Sequence, residues 1–391
     1  MVVSRESVRD KVRSLDWNFG GAETQYLTHA IHRYSGKFIP QVARNAIELV
    51  SSPGDVVLDP YCGSGTTLLE AAVLDRMPVG VDVNPLAVLI SDVKATPISP
   101  SRLSEFQLYL RQNLPVNGRG QRSMEYYHEQ SQARTESGEK QDSHGRLQDP
   151  WFLKWFQPHA LKGLMKIEDV VNGFPDDSCR KAGLLGLSDI LRRCSNAHGS
   201  YPNVMFHSGH RVAPDPVPVF LSRIEEICDA MEDTFPILEG KPFPEVVRGD
   251  ARNLPLRSGS VDAIVTHPPY VASIPYAEYG VLSLRWFGVD TRLLTNTLLG
   301  GPRSSSGLVE RFRSEYAKCF GEFARVLQSG GRMFLLVGSP VVHGQRVDLS
   351  SLTTAVAEEN GFDVEVIAYR DGMNRRANLM GRETLVFLRK S

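Results

Sequence analysis

Apolar positions along the chain fall into two rhythms that alternate. Short strand-like runs end in an acid or a turn: Val56 to Asp59, Pro78 to Asp82, Glu245 to Asp250 and Asp262 to His267. Between them apolar residues recur at helical spacing, as in Val42, Ala46, Ile47 and Leu49-Val50 before the Pro53-Gly54 turn, and in Thr67 to Leu74 after the first acid. Later, Phe320 to Leu327 reads as a helix, Gly330-Gly331 as a turn and Arg332 to Gly338 as a fifth strand. Phe362 to Tyr369 and Glu383 to Arg389 alternate as an antiparallel pair. This order predicts an α/β fold on a mostly parallel sheet with an antiparallel end. Residues 1 to 23 are polar without clear periodicity and stay unassigned.

The alternation breaks near Thr96, where Pro97 and Pro100 intervene. Arg102 to Leu114 reads as one helix. Asn117 to Asp149 is rich in Gly, Ser, Gln, Arg and Glu, which predicts a mobile loop. Trp151 to Phe156, Ala160 to Val171, Ala182 to Cys194 and Val219 to Met231 read as further helices, so residues 98–245 form a mainly helical insertion. Residues 1–97 and 246–391 remain as one nucleotide-binding domain. Three features of the insertion invite a function. Trp151, Phe152, Trp155 and Phe156 fit a base-stacking surface or, more simply, core. Arg192-Arg193 and Arg211 fit phosphate contacts. Cys194, His198, His207 and His210 are metal-ligand types, but their intervals match no zinc pattern, and no metal is expected.

Composition narrows the class without naming a chemistry. The chain has 391 residues, 41% hydrophobic and 23% charged, as an ordinary globular protein has. No run reaches membrane-spanning length, the start lacks the apolar core of a signal peptide, and the five cysteines include no Cys-x-x-Cys pair, all of which suits a cytoplasmic protein. A net charge of −1 means that a nucleic-acid partner would require Lys and Arg gathered on one face.

The chemistry gathers at the strand ends. Val56-Val-Leu-Asp-Pro-Tyr-Cys-Gly-Ser-Gly-Thr66 is strand, glycine turn and helix start, in which Gly63 and Gly65 would let a ligand approach the backbone. Asp82 follows 23 residues after Asp59, the place of an acid that takes both ribose hydroxyls in a βαβ nucleotide fold. Asp59, Asp82, Asp250 and His267-Pro-Pro-Tyr270 would all emerge at the carboxyl edge of one sheet, where ligands of such folds bind.

The Asp59 to Thr66 wording closely resembles the cofactor motif of S-adenosylmethionine-dependent methyltransferases that act on exocyclic amines of nucleic-acid bases, with Tyr61 in place of Phe. His32-x-Tyr34-x-x-Lys37-Phe38-x-Pro40 is similar to the segment that precedes that motif. The resemblance implies a Rossmann-like class I methyltransferase sheet and S-adenosyl-L-methionine as cofactor. It places Phe38, Asp59, Tyr61, Cys62, Gly63, Gly65, Thr66, Asp82 and Asp250 around that cofactor, with Asp250 on the adenine amine. His267, Pro268, Pro269 and Tyr270 become the catalytic motif: the residue before the prolines and the Pro268 carbonyl accept from the amine, and Tyr270 stacks on a flipped base. His267 departs from the Asp common in adenine-N6 enzymes and the Ser common in cytosine-N4 enzymes. Only neutral imidazole can accept a hydrogen bond, which predicts a rate that falls as pH drops through about 7 to 6 unless burial lowers that pKa.

Thr266, Ile274-Pro-Tyr276, Leu284-Arg-Trp-Phe-Gly288, Asn374-Arg-Arg376 and Glu383 resemble the cytosine-N4 group and favour that target. The implied partners are double-stranded DNA and a cognate restriction endonuclease or defence-system subunit, with the insertion and the Leu299 to Arg313 loop, including Arg303 and Arg311, facing DNA. Adenine-N6 methylation, an RNA base methyltransferase and a non-catalytic DNA-binding subunit stay open as alternatives.

Overall fold

Val56–Asp59 (β1) is an inner strand of a seven-stranded sheet whose other strands are Met77–Asp82 (β2), Glu245–Arg248 (β3), Val261–Thr266 (β4), Leu327–Val337 (β5), Phe362–Asp371 (β6) and Arg382–Lys390 (β7). The structure, a computed structural model, describes residues 8–37, 39–116, 145–199, 203–207, 209, 212–271, 275–301, 307–342, 344–371 and 382–391. Across the sheet the order is β3-β2-β1-β4-β5-β7-β6. The first five strands are parallel; β7 pairs antiparallel with both β5 and β6.

Helices cover both faces, which is why β1 and β4 read as nearly unbroken apolar runs. Successive residues take opposite sides. Val57, Ala263, Val265, Phe334 and Leu336 pack with Val8–Ser14 (α1) and Pro40–Val50 (α2). Leu58, Ile264, Met333 and Leu335 pack instead on the long helix Leu308–Val326, with Leu349–Glu359 alongside. The long helix presents Phe312, Tyr316, Phe320 and Phe323 at helical spacing, all buried. Truncating one such phenylalanine typically costs about 3–5 kcal/mol. The unassigned start also belongs to this core: Val12 and Trp17 are buried, and the indole stacks on Phe334 at 6.1 Å.

The chain separates into two compact units, 1–97 with 233–391, and 98–232. The boundary falls at 232 rather than 245, inside the helix Pro216–Leu238, because Leu238 packs with Leu68, Leu69 and Ala72 of the sheet unit. The 98–232 unit is helical: Pro100–Asn113, Pro150–Trp155, Pro158–Asn172, Asp177–Leu191 and the first part of Pro216–Leu238. Its aromatic stripe is largely core, with Phe152, Trp155 and Phe156 all buried. Arg192 does not present a free guanidinium to phosphate: Nη2 donates to the carbonyls of His198 at 2.8 Å and Asn203 at 3.0 Å, closing a turn. No His/Cys/Asp/Glu group able to hold a metal occurs among the described residues. Arg211, His210, Arg303 and Asn374 to Arg376 lie outside the described residues, as does nearly all of the polar stretch 117–149. No described helix is long and apolar enough to cross a membrane.

Candidate active site

One pocket opens at the carboxyl edge of the sheet, enclosing about 810 Å³ of space that includes the solvent at its mouth. Its lining includes Asp59, Tyr61, Cys62, Gly63, Thr66, Asp82, Asp250, His267 and Pro269. Gly65, Pro268 and Tyr270 do not line it, and Phe38 lies outside the described residues.

The two central acids are held by donors both from their own loops and from the neighbouring strand ends. Asp59 Oδ1 accepts from the Thr266 hydroxyl at 2.6 Å and from the Tyr61 amide at 3.1 Å, which locks the end of β1 to the end of β4. Asp82 Oδ2 accepts from the Gly63 amide and Oδ1 from the Asn84 amide, both at 2.9 Å. Burial pushes both carboxyls up to about 6, against the pull of these donors. Three backbone donors, Gly63, Asn84 and Val83, leave this carboxylate acceptor capacity for a ligand hydroxyl.

The glycine loop divides its labour differently from the sequence expectation. Gly63 faces the pocket, where an added Cβ would come within 3.3 Å of the Tyr34 ring. Gly65 faces away from it. Its φ is +73°, and a Cβ there would lie 2.7 Å from both Cα and Cβ of Ser91, so this glycine allows Thr66–Val73 (α3) to approach Pro85–Ala95 (α4). It serves helix packing and not ligand approach. Ser64 Oγ and Thr66 Oγ1 are buried at the pocket and have no hydrogen-bond partner among the described residues. Two waiting hydroxyls at a helix start suit the charged methionine end of S-adenosylmethionine, as Asp82 suits its ribose.

Asp250 is more constrained than a lone acceptor. Arg252 donates its amide and Nε to Oδ1, each at 2.9 Å, and Nη2 to Oδ2 at 2.6 Å. Burial raises this carboxyl, but Arg252 outweighs burial and leaves it below the ordinary carboxylate range. Nε also lies 3.1 Å from Oδ2, so both oxygens already face two donors and a ligand amine would share one of them. The same Nη2 holds the Thr297 carbonyl at 2.8 Å, and Thr297, Leu298 and Leu299 form a wall of the pocket.

At the end of β4, His267 reaches the pocket while Tyr270 turns behind it. Its hydroxyl lies 2.6 Å from His267 Nε2, and its ring meets the imidazole edge-on at 5.1 Å. Burial drives the imidazole pKa down to about 4, helped by Arg370 and opposed by a contact with the Gly36 backbone. His267 is therefore neutral near pH 7, and the loss of rate expected between pH 7 and 6 does not come from this residue.

Several lining residues escaped the motif reading. Tyr34 and Tyr276 stack at 6.0 Å and 26°, and Gly36, Lys37 and Asn84 share the same wall. Tyr34 and Lys37 sat in a segment noticed only for its resemblance. Pairing Tyr34 with Tyr276 is a product of tertiary folding and left no local signal.

The strand order, mostly parallel with β7 reversed, is the Rossmann-like sheet of class I methyltransferases, and the pocket lies at its carboxyl edge. A family model described as a DNA methylase, of the N6/N4 type, matches residues 6–92. The chain is 27% identical over 321 residues to the Type II methyltransferase M.MvaI of Kocuria varians, covering 74% of this chain and 65% of that protein. It is 20% identical over 401 residues to the Type II methyltransferase M.MjaII of Methanocaldococcus jannaschii, covering 83% and 75%. In these matches the chain is similar to amino-group DNA methyltransferases. A DNA modification methylase of Thermus thermophilus solved with S-adenosylmethionine superposes over 36% of this chain and 53% of that one, at 22% identity and a TM-score of 0.25, too low to bear on function.

Proposed function

We propose that this protein transfers a methyl group from S-adenosylmethionine to an exocyclic amine of a base flipped out of duplex DNA, with cytosine N4 the favoured target. The observation that carries the reading is that neutral His267, at the end of β4, lines the same pocket as Asp59 and Asp82. The cofactor supplies an activated methyl on its sulfonium. The chain's task is then to hold the amine in line and to accept its hydrogens as positive charge grows on nitrogen. The Pro268 carbonyl and the imidazole are the acceptors; Asp82 takes the ribose, Asp250 the adenine amine, and Ser64 and Thr66 the methionine end. The flipped base enters beside His267. Residues 98–232 and the 299–313 segment belong to this proposal as the DNA-facing parts, and a companion restriction endonuclease as a partner.

Cofactor affinity should fall as pH drops through about 6, because an Asp82 carboxyl held near that value by burial takes up a proton and loses its charge-assisted bonds to the ribose. Calorimetry on Asp82→Asn should show weaker binding at pH 8, by about 1–3 kcal/mol, and a flatter pH dependence. Equal affinities for the two proteins at pH 8 would take Asp82 out of the site.

Identifying the nucleoside made decides the substrate. DNA incubated with enzyme and cofactor, digested and examined by mass spectrometry, should contain N4-methylcytosine. N6-methyladenine would reassign the base, and methylation of tRNA alone would reassign the polymer. A protein that binds cofactor yet methylates neither would be a non-catalytic subunit.

A further inference from the structure

We infer that Glu70 is a positioning residue for the cofactor pocket: a buried carboxyl on α3 that does not meet the ligand holds residues 26–37, and through them the wall made by Tyr34, Gly36 and Lys37. The inference rests on the reading of that pocket as the S-adenosylmethionine site.

The Glu70 side chain is fully buried and absent from the pocket lining. Its Oε1 accepts from the Tyr26 hydroxyl at 2.6 Å and lies 2.8 Å from His29 Nε2, while Arg44 Nη1, from α2, stands 3.8 Å from Oε2. One oxygen thus grips the segment at two points. A further anchor comes from α4, where the Lys94 carbonyl accepts from the Thr28 hydroxyl at 2.6 Å. The far end of the segment turns back onto the same place: Lys37 Nζ donates to the His29 carbonyl at 3.0 Å. Lys37, Gly36 and Tyr34 then line the pocket, with the Tyr34 ring against Gly63 and stacked on Tyr276. Two polar contacts, Glu70 to His29 and His29 to Lys37, connect the interior of α3 to the pocket wall.

Two features separate this cluster from ordinary core filling. Leu27, between the two residues that touch Thr28 and Glu70, has φ +52°, a left-handed backbone that a β-carbon disfavours and that persists only where its surroundings impose it. Its neighbours Tyr26, Thr28 and His29 are the groups tied to α3 and α4. Second, a carboxyl is costlier to bury than a leucine, so an apolar residue on α3 would serve stability at least as well. A leucine would fix neither Tyr26 nor His29 in direction, because dispersion contacts lack the geometry of a hydrogen bond.

Glu70→Ala should weaken S-adenosylmethionine binding about 10-fold by calorimetry, the scale of a lost buried anchor. Its single-turnover rate at saturating cofactor should stay within about 2-fold of the parent's, since what is lost is binding alone. Glu70→Gln, whose amide oxygen still accepts from Tyr26, should recover most of the affinity. Tyr26→Phe removes one donor and leaves the carboxyl; it should cost about 3-fold in affinity, and it carries the same test if Glu70→Ala does not fold. Arg76→Met is the control: Arg76 is buried beyond the other end of α3 and donates to the Leu74 and Ser51 carbonyls, so its loss should lower the urea midpoint and leave cofactor affinity alone. Amide hydrogen exchange over residues 26–37, measured without cofactor, should quicken in Glu70→Ala and stay parent-like in Arg76→Met. Exchange needs no ligand, so it judges the anchor even if the parent protein binds no S-adenosylmethionine, an outcome that would sink the reading of the pocket instead. Parent-like exchange over 26–37 and parent-like affinity in Glu70→Ala overturn the inference. So does an affinity lost as much in Arg76→Met as in Glu70→Ala, because any loosening of α3 would then have the same effect.

Discussion

Alanine at position 65 should destabilise the sheet unit by about 2–5 kcal/mol, combining the strain of a left-handed backbone with overpacking. The backbone there has φ +73°, and the new methyl would sit 2.7 Å from the Cα of Ser91, an atom fixed inside a helix that cannot swing aside. Gly54→Ala is the control, since its φ is +89° with nothing within 4 Å of the added carbon. It should cost only the backbone part, about 1–2 kcal/mol. Urea unfolding of both variants separates the terms. Equal losses at the two positions would mean that α3 and α4 are free to part, and that Gly65 is not needed for their approach.

His267→Ala should lower the single-turnover rate roughly 10²-fold, the scale of a positioned acid–base group, while cofactor affinity stays near that of the parent. With cofactor saturating, the parent's rate should be level from about pH 8 to 5. The sign follows from burial: the neutral form persists down to about pH 4, and only below that does the ring gain a proton and lose its acceptor. Any earlier decline at subsaturating cofactor belongs to the carboxyls raised to about 6, Asp82 and Asp59, and disappears on saturation. His267→Ser should retain more activity than Ala if the base is cytosine, because a hydroxyl still accepts from the amine. An Ala variant with the parent's rate would show that the Pro268 carbonyl suffices.

What could be read in the sequence was whatever a short window contains. Asp59, Asp82 and His267 each close an apolar run, so their shared edge followed once the runs were recognised as parallel strands, and β6 with β7 announced itself by alternation. Elements shorter than two helical turns carry too few positions to show a period. That is why Val8–Ser14 and its partner Trp17 stayed invisible, although Trp17 stacks on the sheet. Side-chain destinations were also hidden. The spacing of Gly63 and Gly65 cannot tell a glycine facing a pocket from one facing a helix, and the His-Pro-Pro-Tyr motif cannot say which way its tyrosine turns. Asp250 looked like a free carboxylate because its partner Arg252, two residues along, is an unremarkable surface residue until the turn closes on it.

The pairing of β1 with β4 has a consequence for how the protein comes into being on the ribosome. Val56 at the base of β1 donates to Asp262 at the base of β4 across 206 residues, and between them the chain must emit the whole of 98–232. Until then β1 has only β2 beside it, one flank of each exposed, and the helices of the later unit complete their own local contacts first. Asp59 waits for the Thr266 hydroxyl, and the pocket waits for His267 and the Thr297 to Leu299 wall. The methyl-donor site is thus assembled from the two ends of a long delay, and a nascent chain halted within the inserted unit carries the glycine loop but no pocket for it to serve.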